Sequence, residues 1–150
     1  MKVVIDTNVL ISSTEDDLSS SKKIVDEVIA GKIQVYLSDQ TMRENKLLLS
    51  KIVPNPQQKR FLEDYFAQIQ YVRPVRRISV CHDDSEDNKF FEVADTANAE
   101  YIISNDRHLL DVGEFEGIKV VKPDEFWYEY RVCSGDSTEW RDEMKSILGM

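Results

Sequence analysis

At 150 residues and 41% hydrophobic content, the chain is long enough to fold as one soluble domain and too ordinary in composition for a fibrous or disordered protein. No apolar run nears the ~20 residues of a membrane span, no apolar signal segment precedes the strand-like Met1–Ile5, and two cysteines are too few for a disulfide framework, so a cytoplasmic location is expected. The net charge of −9 excludes a uniformly basic nucleic-acid binder, yet between Arg43 and Arg77 eight basic residues stand against three acidic ones.

Lys2–Ile5 is a short strand, apolar on both faces. Ser21–Ala30 reads as a helix with Ile24, Val25, Val28 and Ile29 on one face and Gly31 as its stop. Ile33–Leu37 is a second strand, after which Ser38 or Asp39 caps a helix running to about Ile52, ahead of Pro54. Pro56 opens another helix, to about Ile69, that turns Phe61, Leu62, Tyr65, Phe66 and Ile69 inward. Tyr71–Val80 is extended and interrupted by Pro74. Asn88–Asn98 is helical, Tyr101–Ser104 is a strand, and Gly117 introduces a last strand, Ile118–Val121, before a short helix at Asp124–Tyr130. From residue 131 to 150 the pattern changes to an extension, where Trp140, Met144, Ile147 and Leu148 recur at helical spacing within Ser137–Leu148. Such a helix suits docking on its own domain or a partner surface.

Continuously apolar strands separated by helices pair in parallel and are covered on both faces, so residues 1–130 are expected to form an α/β three-layer sandwich. In such a sheet, ligands gather beyond the carboxyl ends of the strands. The first strand delivers Asp6, followed by Thr7 and Asn8, and the Tyr101 strand delivers Asn105 and Asp106. Glu44 lies about two turns into the helix after the second strand, and Asp87 begins the helix before the Tyr101 strand. Singly, each acid has an everyday explanation as a helix cap or a solvated charge. Together at one edge they would repel, by roughly 4 kcal/mol for a pair ~4 Å apart at an effective dielectric of ~20, and so must protonate, disperse or bind a cation. Ligands that offer only oxygen select a hard divalent ion, Mg²⁺ or Mn²⁺. Such an ion activates water and offsets the charge of a phosphodiester. Asp6 and Asp106 are expected as the main ligands, Asp87 completing the set and Glu44 orienting a water or a second ion. Asn8 and Ser104 would hold the carboxylates by hydrogen bonds. The basic segment, with Arg43, Lys46, Arg73, Arg76 and Arg77, is expected to meet substrate phosphates.

Three ordered motifs carry a family likeness. Asp6-Thr7-Asn8-Val9-Leu10 follows the first strand; Asp84-Ser85-Glu86-Asp87-Asn88-Lys89-Phe90-Phe91 follows later, with Ala94; then comes Ala99-Glu100-Tyr101-Ile102-Ile103-Ser104-Asn105-Asp106 with Leu109-Leu110. With the closing Ile118–Phe126, they resemble the PIN-domain nucleases over roughly Met1 to Phe126. The resemblance implies a parallel sheet of about five strands flanked by helices, an acid set at Asp6, Glu44, Asp87 and Asp106, and cleavage of RNA. Asp83, Asp84 and Glu86 stand beside Asp87 as rivals for its place. Many small members are toxins silenced by a separately encoded antitoxin and are often dimeric, so an antitoxin and a homodimer are implied partners. Two other readings compete. A Mg²⁺-dependent phosphatase would use Asp6 as a nucleophile, but Asp6-Thr7-Asn8 supplies one acid where Asp-x-Asp is expected. A non-catalytic RNA- or protein-binding module would need none of the acids. Cys81-His82 lacks the second ligand pair of a zinc site, and no Gly-rich phosphate loop is present.

Overall fold

A computed structural model describes residues 1–53, 55–81 and 85–133. Pro54, His82, Asp83, Asp84 and the helix expected at Ser137–Leu148 lie outside the described residues. The elements run β1 (Lys2–Ile5), α1 (Thr7–Glu15), α2 (Ser20–Ile29), β2 (Gln34–Leu37), α3 (Asp39–Ile52), α4 (Pro56–Gln68), β3 (Gln70–Tyr71), α5 (Asn88–Ala97), β4 (Tyr101–Ile103), α6 (Arg107–Val112), β5 (Glu114–Phe115), β6 (Ile118–Val121) and α7 (Pro123–Cys133). Helix α7 thus passes the boundary expected at Tyr130.

The sheet order is β3-β2-β1-β4-β6-β5. All pairings are parallel except β5 with β6. The expected sheet of about five parallel strands is present, extended by an antiparallel edge. That edge is a hairpin turning through Glu116 and Gly117, both at positive φ (48° and 88°), the conformation a two-residue turn needs and one glycine adopts without strain. The central strands are fully buried at Val3, Val4, Ile5, Ile102 and Ile103, which explains their unbroken apolar sequence.

Local chemistry starts the helices. Ser19 accepts from the Lys22 amide, Ser38 from the Thr41 amide, and Asn55 from the Gln57 and Gln58 amides with Pro56 opening α4. Of the residues expected inward on α4, Leu62, Tyr65, Phe66 and Ile69 are buried and Phe61 is partly so. The extended stretch after β3 is a strap laid along α5. The Val75 amide donates to Thr96 Oγ1 near the end of that helix, and the Val80 and Cys81 amides donate to Asn88 Oδ1 at its start.

From β1 the chain builds outward through β2 to β3, then crosses to β4 and builds the other way. Right-handed crossovers send the helices of these two directions to opposite faces. The order therefore reverses between β1 and β4, the point beyond whose carboxyl ends ligands bind in open α/β sheets.

Candidate active site

Both strand-end acids stand at that reversal point. Asp6 continues the ladder one residue past β1, its amide donating to Ile103 O at 3.0 Å. Ser104 does the same past β4, its amide donating to Val121 O at 3.0 Å. The Ser104 side chain is fully buried and joins the two acids: Oγ donates to Asp6 Oδ2 at 2.8 Å and accepts the Asp106 amide at 2.9 Å. Asn8 adds a second tie, donating to Asp6 Oδ2 at 3.2 Å and accepting the Asn105 amide at 3.2 Å. The Asp6 carboxylate makes no capping bond to α1, whereas Asp106 caps α6 by accepting the His108 amide at 2.9 Å. The cap explanation therefore fits Asp106 and not Asp6.

Burial pushes the Asp6 carboxyl above its ordinary value of 3.8. The Ser104 hydroxyl and the Thr7 amide pull it back in part, the Asp106 charge adds to the rise, and Lys89 opposes it. A buried carboxylate with a like charge beside it is a group that gains from a cation.

The remaining two acids arrive on helices. Asp87 is buried in the 3-10 turn Ser85–Asp87 that leads into α5. Since α5 runs back to the start of β4, its first turn lies at the carboxyl edge. Glu44 lies on α3, with Oε1 accepting from Gln40 at 3.3 Å and Oε2 held by Lys89 Nζ at 3.1 Å. Its neighbour Asn45 is buried and accepts the hydroxyl of Thr7, which fixes this turn of α3 beside Asp6; Asn45 Nδ2 is buried with no partner among the described residues. Among the described residues, no three acidic, histidine or cysteine side chains lie close enough to hold an ion together. Asp6 and Asp106 are thus a preformed pair, and Glu44 is turned to a lysine.

The basic residues separate. Lys46 on α3 faces α4, 5.6 Å from the Phe66 ring centroid, and lines a cavity of about 720 Å³ between α3 and α4 with Lys59, Leu62 and Tyr71. Arg43 is exposed and pairs with Asp39, while Arg73 and Arg77 are exposed. Arg76 does not join the site. It bonds Asp95 at 3.0 Å in the last turn of α5 and Glu116 before β6, both at the amino edge of the sheet.

The PIN domain family matches residues 2–108, a span that holds Asp6, Glu44, Asp87 and Asp106. The chain is a PIN-domain protein. An uncharacterized protein of Methanocaldococcus jannaschii is 31% identical to it over 144 residues, covering 87% of this chain and 92% of that one. Among solved structures, a chain of VapBC2 from Rickettsia felis, bound there to a DNA fragment from their promoter, superposes with a TM-score of 0.54. At 13% identity over 81% of this chain and 98% of that one, the likeness is one of fold. In this PIN domain, sequence reasoning did not assign the Thr7–Asn45 bond, the Asn88 anchor or the Lys89–Glu44 pair. A polar residue at a helix position otherwise facing the core is the signal that Asn45 carried.

Proposed function

We propose that this PIN-domain protein is a Mg²⁺- or Mn²⁺-dependent endoribonuclease, acting as the toxin of a toxin–antitoxin pair. One observation carries the reading: a buried Asp6 joined to Asp106 through the Ser104 hydroxyl at the point where the sheet reverses order. PIN domains are in the main nucleases, and the donor set here is all oxygen, which fits a hard divalent ion. Asp6 and Asp106 would hold the ion, with Asp87 and Glu44 completing the set. When bound, it supplies an activated water and offsets charge on the phosphodiester.

The chain's own residues do the rest. Ser104 and Asn8 fix the Asp6 carboxylate with its Oδ2 lone pairs engaged, so its orientation is set before any ligand arrives. Burial of Asp6 keeps bulk water from screening its charge. Lys46 and Arg43 on α3, with Arg73 and Arg77, would bind the substrate backbone as phosphate contacts, giving affinity that falls with salt. The solved structure of like fold is VapBC2, and by that likeness a separately encoded antitoxin would cover the site of this chain. A homodimer and a cytoplasmic setting complete the reading. No helix of the described residues is long and apolar enough to cross a membrane.

The test is cleavage of labelled single-stranded RNA by purified protein in Mn²⁺, in EDTA, and by the Asp6→Asn variant. EDTA-sensitive cleavage that the variant lacks is expected. Cleavage that survives EDTA, or equal cleavage by the variant, would overturn the assignment.

A further inference from the structure

Lys89 stands among the acids without a place in the reading above. Its ammonium pairs with Glu44 Oε2 at 3.1 Å, and its charge lowers the Asp6 carboxyl where that of Asp106 raises it. It lies in the first turn of α5, where helix dipoles favour acids, so helix stability does not account for a lysine there. The pair joins α3 to α5, between residues 45 positions apart. Both partners are partly exposed, 34% for Lys89 and 49% for Glu44, so the pair is a weak hold and readily exchanged.

We propose that Lys89 is the movable counter-cation of this site, holding Glu44 while no metal is present and yielding Glu44 to the ion when one binds, which leaves the ammonium facing the substrate phosphate. The inference rests on the metal-dependent reading of the site and adds a positioning and phosphate-contacting residue to it. It also accounts for an observation that reading leaves open: Glu44 stands apart from the Asp6–Asp106 pair because a cation of the protein's own already occupies it. A divalent ion carries twice the charge of the ammonium and takes Glu44 in competition with it. Released, Lys89 sits at the positive end of α5, where a phosphate finds both the ammonium and the helix N-terminus. Lys89 therefore weakens metal binding in the free protein and strengthens it only once a phosphate takes up the ammonium.

The test titrates Mn²⁺ into RNA-free protein by calorimetry at low salt for wild type, Lys89→Met and Lys89→Arg, then measures kcat/KM on a labelled RNA oligonucleotide. Lys89 is partly exposed, so both variants should fold, which a circular-dichroism melt checks. Lys89→Met should bind Mn²⁺ at least about fivefold more tightly than wild type, the effect of one unit charge at the dielectric of bulk water and so a lower bound for a partly solvated site, and lose about tenfold in kcat/KM. Lys89→Arg should match wild type in Mn²⁺ affinity. Unchanged or weaker Mn²⁺ binding by Lys89→Met overturns the proposal, as does undiminished cleavage. Wild type that binds no Mn²⁺ instead overturns the metal-dependent reading itself, so the two failures are told apart.

Discussion

Replacing Ser104 with alanine removes a hydroxyl that is fully buried and makes two hydrogen bonds, one to a carboxylate at 2.8 Å and one from an amide at 2.9 Å. A bond to a charged group contributes about 1.5–3 kcal/mol and a neutral one about 0.5–1.5 kcal/mol, and with no solvent to replace either, the loss should be about 2–4 kcal/mol. For a chain of 150 residues, that lowers Tm by roughly 10 °C. The charged part depends on pH. Ser104 stabilises the ionised form of Asp6, whose pKa burial has raised above 3.8, so Ser104→Ala raises it further. Above the raised pKa the full cost is felt; as pH falls through it toward 3.8, Asp6 is protonated in both proteins and only the neutral part remains. Thermal melts followed by circular dichroism in EDTA, at about pH 7.5 and about pH 4, measure both. A loss under about 1 kcal/mol, or one equal at the two pH values, would refute the claim that this hydroxyl ties the two strand-end acids together.

Three further outcomes follow from the same geometry. Asp6→Asn should raise the Tm of metal-free protein by several degrees at neutral pH, because the amide oxygen still accepts from Ser104 and Asn8 while the buried charge is gone; the gain should fade as pH falls toward 3.8, and a melt series across that range reads it. Mg²⁺ or Mn²⁺ at about 100 times its Kd should stabilise wild type by about 2.7 kcal/mol in a thermal-shift assay, and Asp6→Asn protein by much less. Phe91→Ala should cost about 3–5 kcal/mol in chemical denaturation, since the ring is fully buried under the sheet and packs edge-on against Phe115 at 6.0 Å.

The elements legible in the sequence are those whose burial shows in their residues. Strands β1 and β4 are covered on both faces and read as apolar runs; β2 and β6 show through Val35, Leu37, Ile118, Val120 and Val121 although Gln34 and Lys119 are exposed; and α2 through α5 are long enough for their apolar stripes to show. Helices α1 and α6 went unmarked: α1 is rich in Thr, Val, Ile and Ser, poor helix formers held by packing on α2, and α6 is six residues long. Strands β3 and β5 are two residues each and mostly exposed, so they carry no pattern. The placement of Asp6, Asn8, Ser104 and Asp106 at the carboxyl ends of β1 and β4 was legible because strand-end position is local information; Asn8 and Ser104 bond the Asp6 carboxylate, whereas Ser104 meets Asp106 at its backbone amide and not at its carboxylate. Arg76 was misplaced because charge alone does not say where a strap will lay it; Asp95 and Glu116 hold it at the other end of the sheet. Lys89 and Asn45 take their roles from partners 45 and 38 residues away, which no local pattern reports.

The ladder bonds past β1 and β4 have a consequence in time. Separating Asp6 from Asp106 means parting two strands at the fully buried centre of the sheet, an opening whose free energy approaches that of unfolding the whole domain. The Asp6 and Ser104 amides should be among the slowest to exchange with deuterium. Glu44 and Lys89, by contrast, are partly exposed side chains joined by one ion pair, and they rearrange without any strand parting. An arriving ligand meets one wall that keeps its shape for the lifetime of the fold and another that rearranges while the sheet stays whole.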